Sequence, residues 1–246
     1  VGNVEAIPAL PPQHQFLFLL PQPDGRAYLG ITDDGVPGPS PSVPDVPESD
    51  VDYLRDATRH VLGTALEREH VRGAFAGLRP LLARPGRSSA DVSRQHAVRT
   101  SADGIVTVVG GKLTTYRRMA AEAVDAAIRC GRLSAGPSRT AAVPLVGAAE
   151  RDRLTAIDAD PRLVARYGTE AVRIAALSEF DPDLAHPIAP GLTAGEVVWA
   201  VRHEGALTAD DVLDRRSRIG LDPLVRDEAH DAVAEHLKRP DDLTWH

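Results

Sequence analysis

The pattern of apolar and polar positions changes character along the chain. Phe16 to Leu20 is a short apolar run between prolines, and Arg26 to Ile31 answers it across an Asp24-Gly25 turn signal. This spacing predicts a hairpin or meander within residues 1–32. From Pro37 to Pro47 prolines recur almost every other residue. Proline fixes φ and donates no backbone N–H, so the stretch reads as an extended surface loop. Val51, Leu54, Ala57, Val61 and Leu62 then share one helical face, with Ser49 as the expected N-cap, Asp52 three residues on and Gly63 as the stop. Residues 70–83 resume strand-like character around Gly77 and end at Pro80, and residues 84–95 read as a polar loop.

Ala97 to Thr100 and Ile105 to Val109 flank Asp103-Gly104, a hairpin signal. The second of these segments is apolar enough to read as a strand covered on both faces. Gly110 and Gly111 follow, and then Tyr116, Met119, Ala120, Ala123, Val124, Ala127 and Ile128 recur at helical spacing up to Gly131. Residues 131–147 are rich in Gly, Pro and Ser and mark a boundary. Beyond it, Asp160-Pro161, Thr193 with Glu196, Thr208 with Asp211, and Asp222-Pro223 are successive helix-start signals, so this region is expected to be entirely helical. No fixed-period repeat is present, which argues against a solenoid. The expected fold class is α+β: a mixed or antiparallel sheet segment over residues 1–135, then a small all-helical domain over 136–246.

Composition narrows this picture only slightly. The 246 residues are 43% hydrophobic and 26% charged, with a net charge of -7, an ordinary globular balance that argues against nucleic acid as a partner. The single cysteine, Cys130, excludes an internal disulfide and fits a reducing compartment. Phe16 to Leu20 is far too short to span a membrane, and no charged segment followed by an apolar one reads as a signal peptide. The chain starts at Val1, which reads either as trimming or as a piece of a longer protein.

Three stretches could carry chemistry. Gly104 to Tyr116 (GIVTVVGGKLTTY) is a strand, a diglycine, Lys112 and a helix start. Such a turn presents backbone amides and the positive end of a helix to an anion, or it is a plain strand–helix junction with an exposed lysine. Arg79, beside Pro80 at the end of an apolar stretch, either holds an anion with its guanidinium fork or points to solvent. Arg94 and His96 form a third candidate, although a lone histidine in such a place is more often structural. Arg215, Arg216 and Arg218 read as charge complementation at a helix end, and Trp199 with Val197, Val198 and Val201 reads as core. No metal-ligand spacing, Walker A loop or GxSxG elbow is present.

With these stretches in view, the chain resembles the C-terminal half of the FAD-dependent glycerol-3-phosphate dehydrogenase family. The resemblance is carried by AFAGLRPLL (Ala74 to Leu82), SRQH (Ser93 to His96), GIVTVVGGKLTTYRRMAAEAVD (Gly104 to Asp125) and VRHEGALTADDVLDRRSRIGL (Val201 to Leu221). Gly30 followed by Thr32-Asp33 is similar to the family's GTTD stretch, with Ile31 where a threonine is usual. The resemblance implies oxidation of sn-glycerol 3-phosphate to dihydroxyacetone phosphate, with hydride passed to FAD and electrons to a quinone. It implies that Arg79, Lys112 and Arg94 bind substrate, with Arg79 nearest to a catalytic role although arginine is a poor base. It further implies that Gly110, Gly111, Lys112, Leu113 and Thr114 lie along the flavin edge. A cytoplasmic protein at the inner face of the cell membrane, with peripheral membrane contact and a homodimeric state, is compatible with it. The GxGxxG unit that grips the ADP part of FAD is absent from these residues, so a fragment with little activity of its own is expected. Two alternatives stay open: a non-catalytic helical association or regulatory module, and a relative acting on another hydroxy or amino acid.

Overall fold

The computed structural model describes residues 5–7, 17–22, 24–36, 38–81 and 95–238. The chain divides into two compact units, Val1–Val143 and Pro144–His246. In the first, β1 (Glu5–Ile7), β2 (Leu17–Pro21) and β3 (Ala27–Gly30) form an antiparallel sheet in sequence order. Phe18 pairs with Gly30 and Leu20 with Tyr28 across the Asp24-Gly25 turn, as the sequence spacing predicts. Side chains alternate across the sheet, so Leu17 is fully buried with Ala57, Tyr53 and Leu54, while Phe18, Leu20 and Tyr28 stay exposed.

Helix α1 (Glu48–Leu62) supplies that cover. It begins two residues earlier than the Ser49 cap predicts, because the carbonyl of Pro47 already accepts from the N–H of Asp50. Glu48 and Asp50 sit in the positive first turn, and Gly63 ends the helix in a left-handed conformation. Leu62, expected on the buried face, is exposed at the last turn. Residues 71–81, expected to be strand-like, have no regular structure. Gly73 and Gly77 raise the ordering cost of a strand and Pro80 removes a ladder donor.

A second antiparallel hairpin joins β4 (Ala97–Thr100) to β5 (Val106–Val109), with Ala97 opposite Val109. Helix α2 (Tyr116–Gly131) packs against both strands. Strand β5 is not covered on both faces: Thr107 and Val108 are exposed among the described residues.

The second unit contains α3 (Arg151–Thr155), α4 (Pro161–Tyr167), α5 (Ala171–Phe180), β6 (Pro187–Ala189), β7 (Leu192–Thr193), α6 (Ala194–Glu204), a π-helical segment (Asp211–Arg216) and α7 (Pro223–His236). It is therefore not entirely helical, since β6 and β7 pair antiparallel across Pro190-Gly191. The expected start signals hold at α4, where Asp160 accepts from the N–H of Arg162, and at α6, where Thr193 and Glu196 cap each other. Helix α6 is the centre of the core: Ala194 through Ala200 are all buried. Val197, Val212, Leu213 and Val233 close one side, and Trp199 meets Leu163 and Ile174 on another.

Candidate functional site

The Gly104–Tyr116 stretch folds as its pattern requires. Gly104 takes φ +87° at the hairpin turn, and the N–H of Ser101 donates to the Ile105 carbonyl at 3.0 Å. At the far end of β5, Gly110 and Gly111 take φ +78° and +82°, a region that only glycine enters without strain. A Cβ on Gly110 would lie 2.7 Å from the Gln95 carbonyl oxygen, and one on Gly111 would collide with the Met119 sulfur. The diglycine is thus demanded by local packing, whatever lies opposite it.

The chain then makes a single 3₁₀ turn, Leu113–Thr115, that opens α2. Thr115 ties the turn down: its Oγ1 accepts from the Lys112 N–H at 3.2 Å and donates to the Lys112 carbonyl at 2.9 Å. The N–H groups of Leu113 and Thr114 precede any intrahelical acceptor and stand at the positive end of α2. Leu113 is 87% exposed. Lys112 makes no ion pair with any described residue, and it lines a pocket of about 320 Å³ with Gln95, His96 and Thr115.

His96 also lines this pocket. Its Nε2 lies 2.7 Å from Glu122 Oε2 on α2, and Glu122 Oε1 accepts from Arg118 Nε at 2.7 Å. The Arg118 guanidinium and then His96 hold the Glu122 carboxyl below the usual range. The Lys112 ammonium, unpaired among the described residues, thus stands beside the diglycine and the start of α2.

Arg79 occupies a different setting. It does not line the Lys112 pocket; its guanidinium pairs with Asp33, 46 residues earlier. Beside Asp33, Thr32 Oγ1 donates to Asp50 Oδ2 on α1 at 2.6 Å. Two of the stretches singled out in the sequence are thereby joined. Arg94 lies outside the described residues.

Sequence reasoning missed the buried carboxylate of the second unit. Glu196 is 1% exposed and receives Arg162 and Arg166 at 2.7 Å each, Tyr167 Oη at 3.1 Å and the Thr193 N–H at 3.0 Å. Burial, and then the neighbouring Glu196 charge, pushes the Tyr167 phenol well above its ordinary value, so it stays a donor. The signal in the sequence is the Arg162/Arg166 pair at helical spacing, together with the capping box. Of the basic cluster, Arg215 pairs with Asp211 at 2.9 Å and Arg216 with Glu204 at 3.4 Å, as a solvated helix end does. Among the described residues no group of His, Cys, Asp and Glu is placed to hold a metal ion.

Residues 138–245 match the model of the C-terminal domain of alpha-glycerophosphate oxidase. Glycerol-3-phosphate dehydrogenase 1 of Mycobacterium bovis is 43% identical over 235 residues, which cover 92% of this chain and 45% of that protein. Glycerol-3-phosphate dehydrogenase 2 of the same organism is 38% identical over 193 residues, 73% of this chain and 33% of the relative. The mitochondrial glycerol-3-phosphate dehydrogenase of Macaca fascicularis is 32% identical over 254 residues, 93% of this chain and 33% of the relative. The chain spans less than half the length of each of these relatives, and sequence kinship over nearly all of its own length places it in the glycerol-3-phosphate dehydrogenase family.

Proposed function

We propose that this chain supplies the substrate-facing and flavin-facing part of an FAD-dependent sn-glycerol 3-phosphate dehydrogenase. The observation that carries the reading is the turn at Gly110–Thr114, where Lys112, unpaired among the described residues, lines a pocket at the start of α2 beside two glycines in a left-handed conformation. Gly110, Gly111, Lys112, Leu113 and Thr114 would hold the flavin edge, and the bound flavin supplies the hydride acceptor. The positive end of α2 favours negative charge at that edge, an effect of about 0.3–1 kcal/mol. Lys112 meets the substrate phosphate or its reacting oxygen as a compact charge with three donors. Arg79 has five N–H donors, so its pairing with Asp33 leaves several for a phosphate. Arg94 is assigned to the substrate on the same grounds of resemblance.

Glycerol 3-phosphate is oxidised to dihydroxyacetone phosphate in this reading, and the electrons continue to a quinone through a peripheral membrane contact. Among the described residues no helix is long and apolar enough to cross a membrane. Residues up to about 135 form the catalytic segment and the remainder a helical accessory domain. The dinucleotide grip comes from outside these 246 residues, which contain no GxGxxG unit and span 45% of the mycobacterial relative. The same missing part would cover the apolar residues that β5 and α2 leave exposed. Taken alone, the chain then binds FAD weakly and turns over little substrate.

Phosphate specificity tests the reading. Calorimetric titration should show glycerol 3-phosphate binding that weakens about tenfold or more in Lys112→Ala, the scale of a charge-assisted hydrogen bond, with glycerol binding poorly to both. Equal affinity of parent and variant would remove Lys112 from the site. Tighter binding of an unphosphorylated hydroxy or amino acid would favour the alternative substrate class.

A further inference from the structure

The pocket beside Lys112 contains a titratable group that the substrate reading leaves without a role. His96 is held by one ring nitrogen only. Glu122 Oε2 lies 2.7 Å from Nε2, and the Glu122 carboxylate is itself fixed by Arg118 from the previous turn of α2. An ionised carboxylate at Nε2 accepts the N–H of that nitrogen and so fixes the tautomer, leaving Nδ1 with its lone pair. Among the described residues no hydrogen bond occupies Nδ1, and Nδ1 is not a buried unsatisfied atom. The charged groups that face the ring are Glu122 and, through it, Arg118 on α2, together with Lys112 on the turn; Gln95 and Thr115 are the neutral neighbours. A histidine that lines a pocket, oriented by a carboxylate on one nitrogen and unbonded on the other, has the arrangement of a general base.

We propose that His96 is the proton acceptor of the reaction, with Glu122 as its positioning residue. The inference rests on the function proposed above. In the step, the C2–H bond of glycerol 3-phosphate breaks and both its electrons leave as hydride for the flavin. The O–H bond of the C2 hydroxyl breaks, its electron pair becomes the second bond of the C2 carbonyl, and the proton goes to Nδ1 of His96. The alcohol loses two electrons and the flavin gains them. Lys112, in the same pocket, stabilises the negative charge that builds on the oxygen as the proton departs.

The experiment compares parent, His96→Gln, Glu122→Gln and Lys112→Ala in the FAD-loaded protein, formed by joining this chain to a dinucleotide-binding segment. Glutamine keeps a donor toward Glu122 but accepts no proton. The expected result for His96→Gln is glycerol 3-phosphate-dependent flavin reduction slowed about 10²–10⁴-fold, with substrate affinity unchanged. The parent rate falls on the acid side as the imidazole fills with a proton, and this limb disappears in His96→Gln. Glu122→Gln, which loses the charge that sets the tautomer, is intermediate. A readout independent of turnover is the imidazole ¹⁵N spectrum of the 246-residue chain. Neutral His96 appears protonated at Nε2, and added glycerol 3-phosphate shifts its Nδ1 resonance. Flavin reduction at the parent rate in His96→Gln, or a neutral ring protonated at Nδ1, overturns the assignment. If the parent reduces flavin and Lys112→Ala weakens binding while His96→Gln is unimpaired, only the His96 assignment falls. If the parent does not respond to glycerol 3-phosphate, the proposed function falls and this inference falls with it.

Discussion

Helices α6 and α2 have comparable apolar content and opposite fates. Every residue of α6 from Ala194 to Ala200 is buried, whereas α2, five residues longer, buries only Ala126 among its described residues. Tyr116 and Val124 of α2 remain 49% and 57% exposed. The second unit encloses its central helix with α4, α5, α7 and the π-helical segment. Among the described residues, the first unit sets α2 on a two-stranded hairpin and leaves much of its remaining surface exposed. The stretches that resemble catalytic motifs, Arg79 and the Lys112 turn, lie in the thinly packed unit. The two units therefore differ in how they are held: one by its own core, while the other, among the described residues, presents polar and apolar groups outward.

This contrast sets the order of effects. The largest loss is expected for Glu196→Ala, which strips Arg162, Arg166 and Tyr167 of their shared partner and removes the α6 capping box. A fully buried pair so broken costs about 3–5 kcal/mol. Arg162 and Arg166 still reach water, so we expect about 2–3 kcal/mol, seen as a lower melting temperature of the second unit while the β4–β5 amide protons keep their exchange rates. Next is Gly110→Ala, which combines a positive φ with a Cβ 2.7 Å from the Gln95 carbonyl oxygen. It should cost about 1–3 kcal/mol, confined to the first unit and readable as faster amide exchange in β4 and β5. Smallest in stability is Lys112→Ala, expected within about 0.5 kcal/mol of parent in a denaturant titration, although its effect on ligand affinity is large.

Acid pH probes the second unit in another way. Backbone N–H groups of Leu207 and Thr208, with Arg215 behind them, lower the Asp211 carboxyl from 3.8 to about 2. A depressed carboxylate stabilises the fold above its unfolded value, and that contribution is lost as pH falls through the folded one. Asp211→Asn should therefore flatten the decline in melting temperature between about pH 4 and pH 2. An unchanged slope in the variant would show that other carboxylates govern acid unfolding.

Much of this was legible in local chemistry. Asp24-Gly25, Asp103-Gly104, Gly63 and the Thr193/Glu196 box each act over a few residues, and each appears in the structure where its spacing predicts. The short β6–β7 hairpin escaped notice because its strands are only three and two residues long. Its Pro190-Gly191 dipeptide was nevertheless a turn signal. The pairings that matter most to the site could not be read from spacing. Arg79 meets Asp33 over 46 residues and His96 meets Glu122 over 26, and no periodicity encodes contacts of that range. The expectation that β5 is covered on both faces is unmet within the described residues. An apolar strand reports that it prefers burial, not which segment provides it.

The most direct test of the account is reconstitution. This chain, joined to a dinucleotide-binding segment and loaded with FAD, is mixed anaerobically with glycerol 3-phosphate while flavin absorbance is followed. The account predicts that the absorbance bleaches in the parent and that Lys112→Ala requires about tenfold more substrate or higher to bleach to the same extent. Stable flavin binding without bleaching by glycerol 3-phosphate, or bleaching at the same substrate concentration in Lys112→Ala, would contradict it.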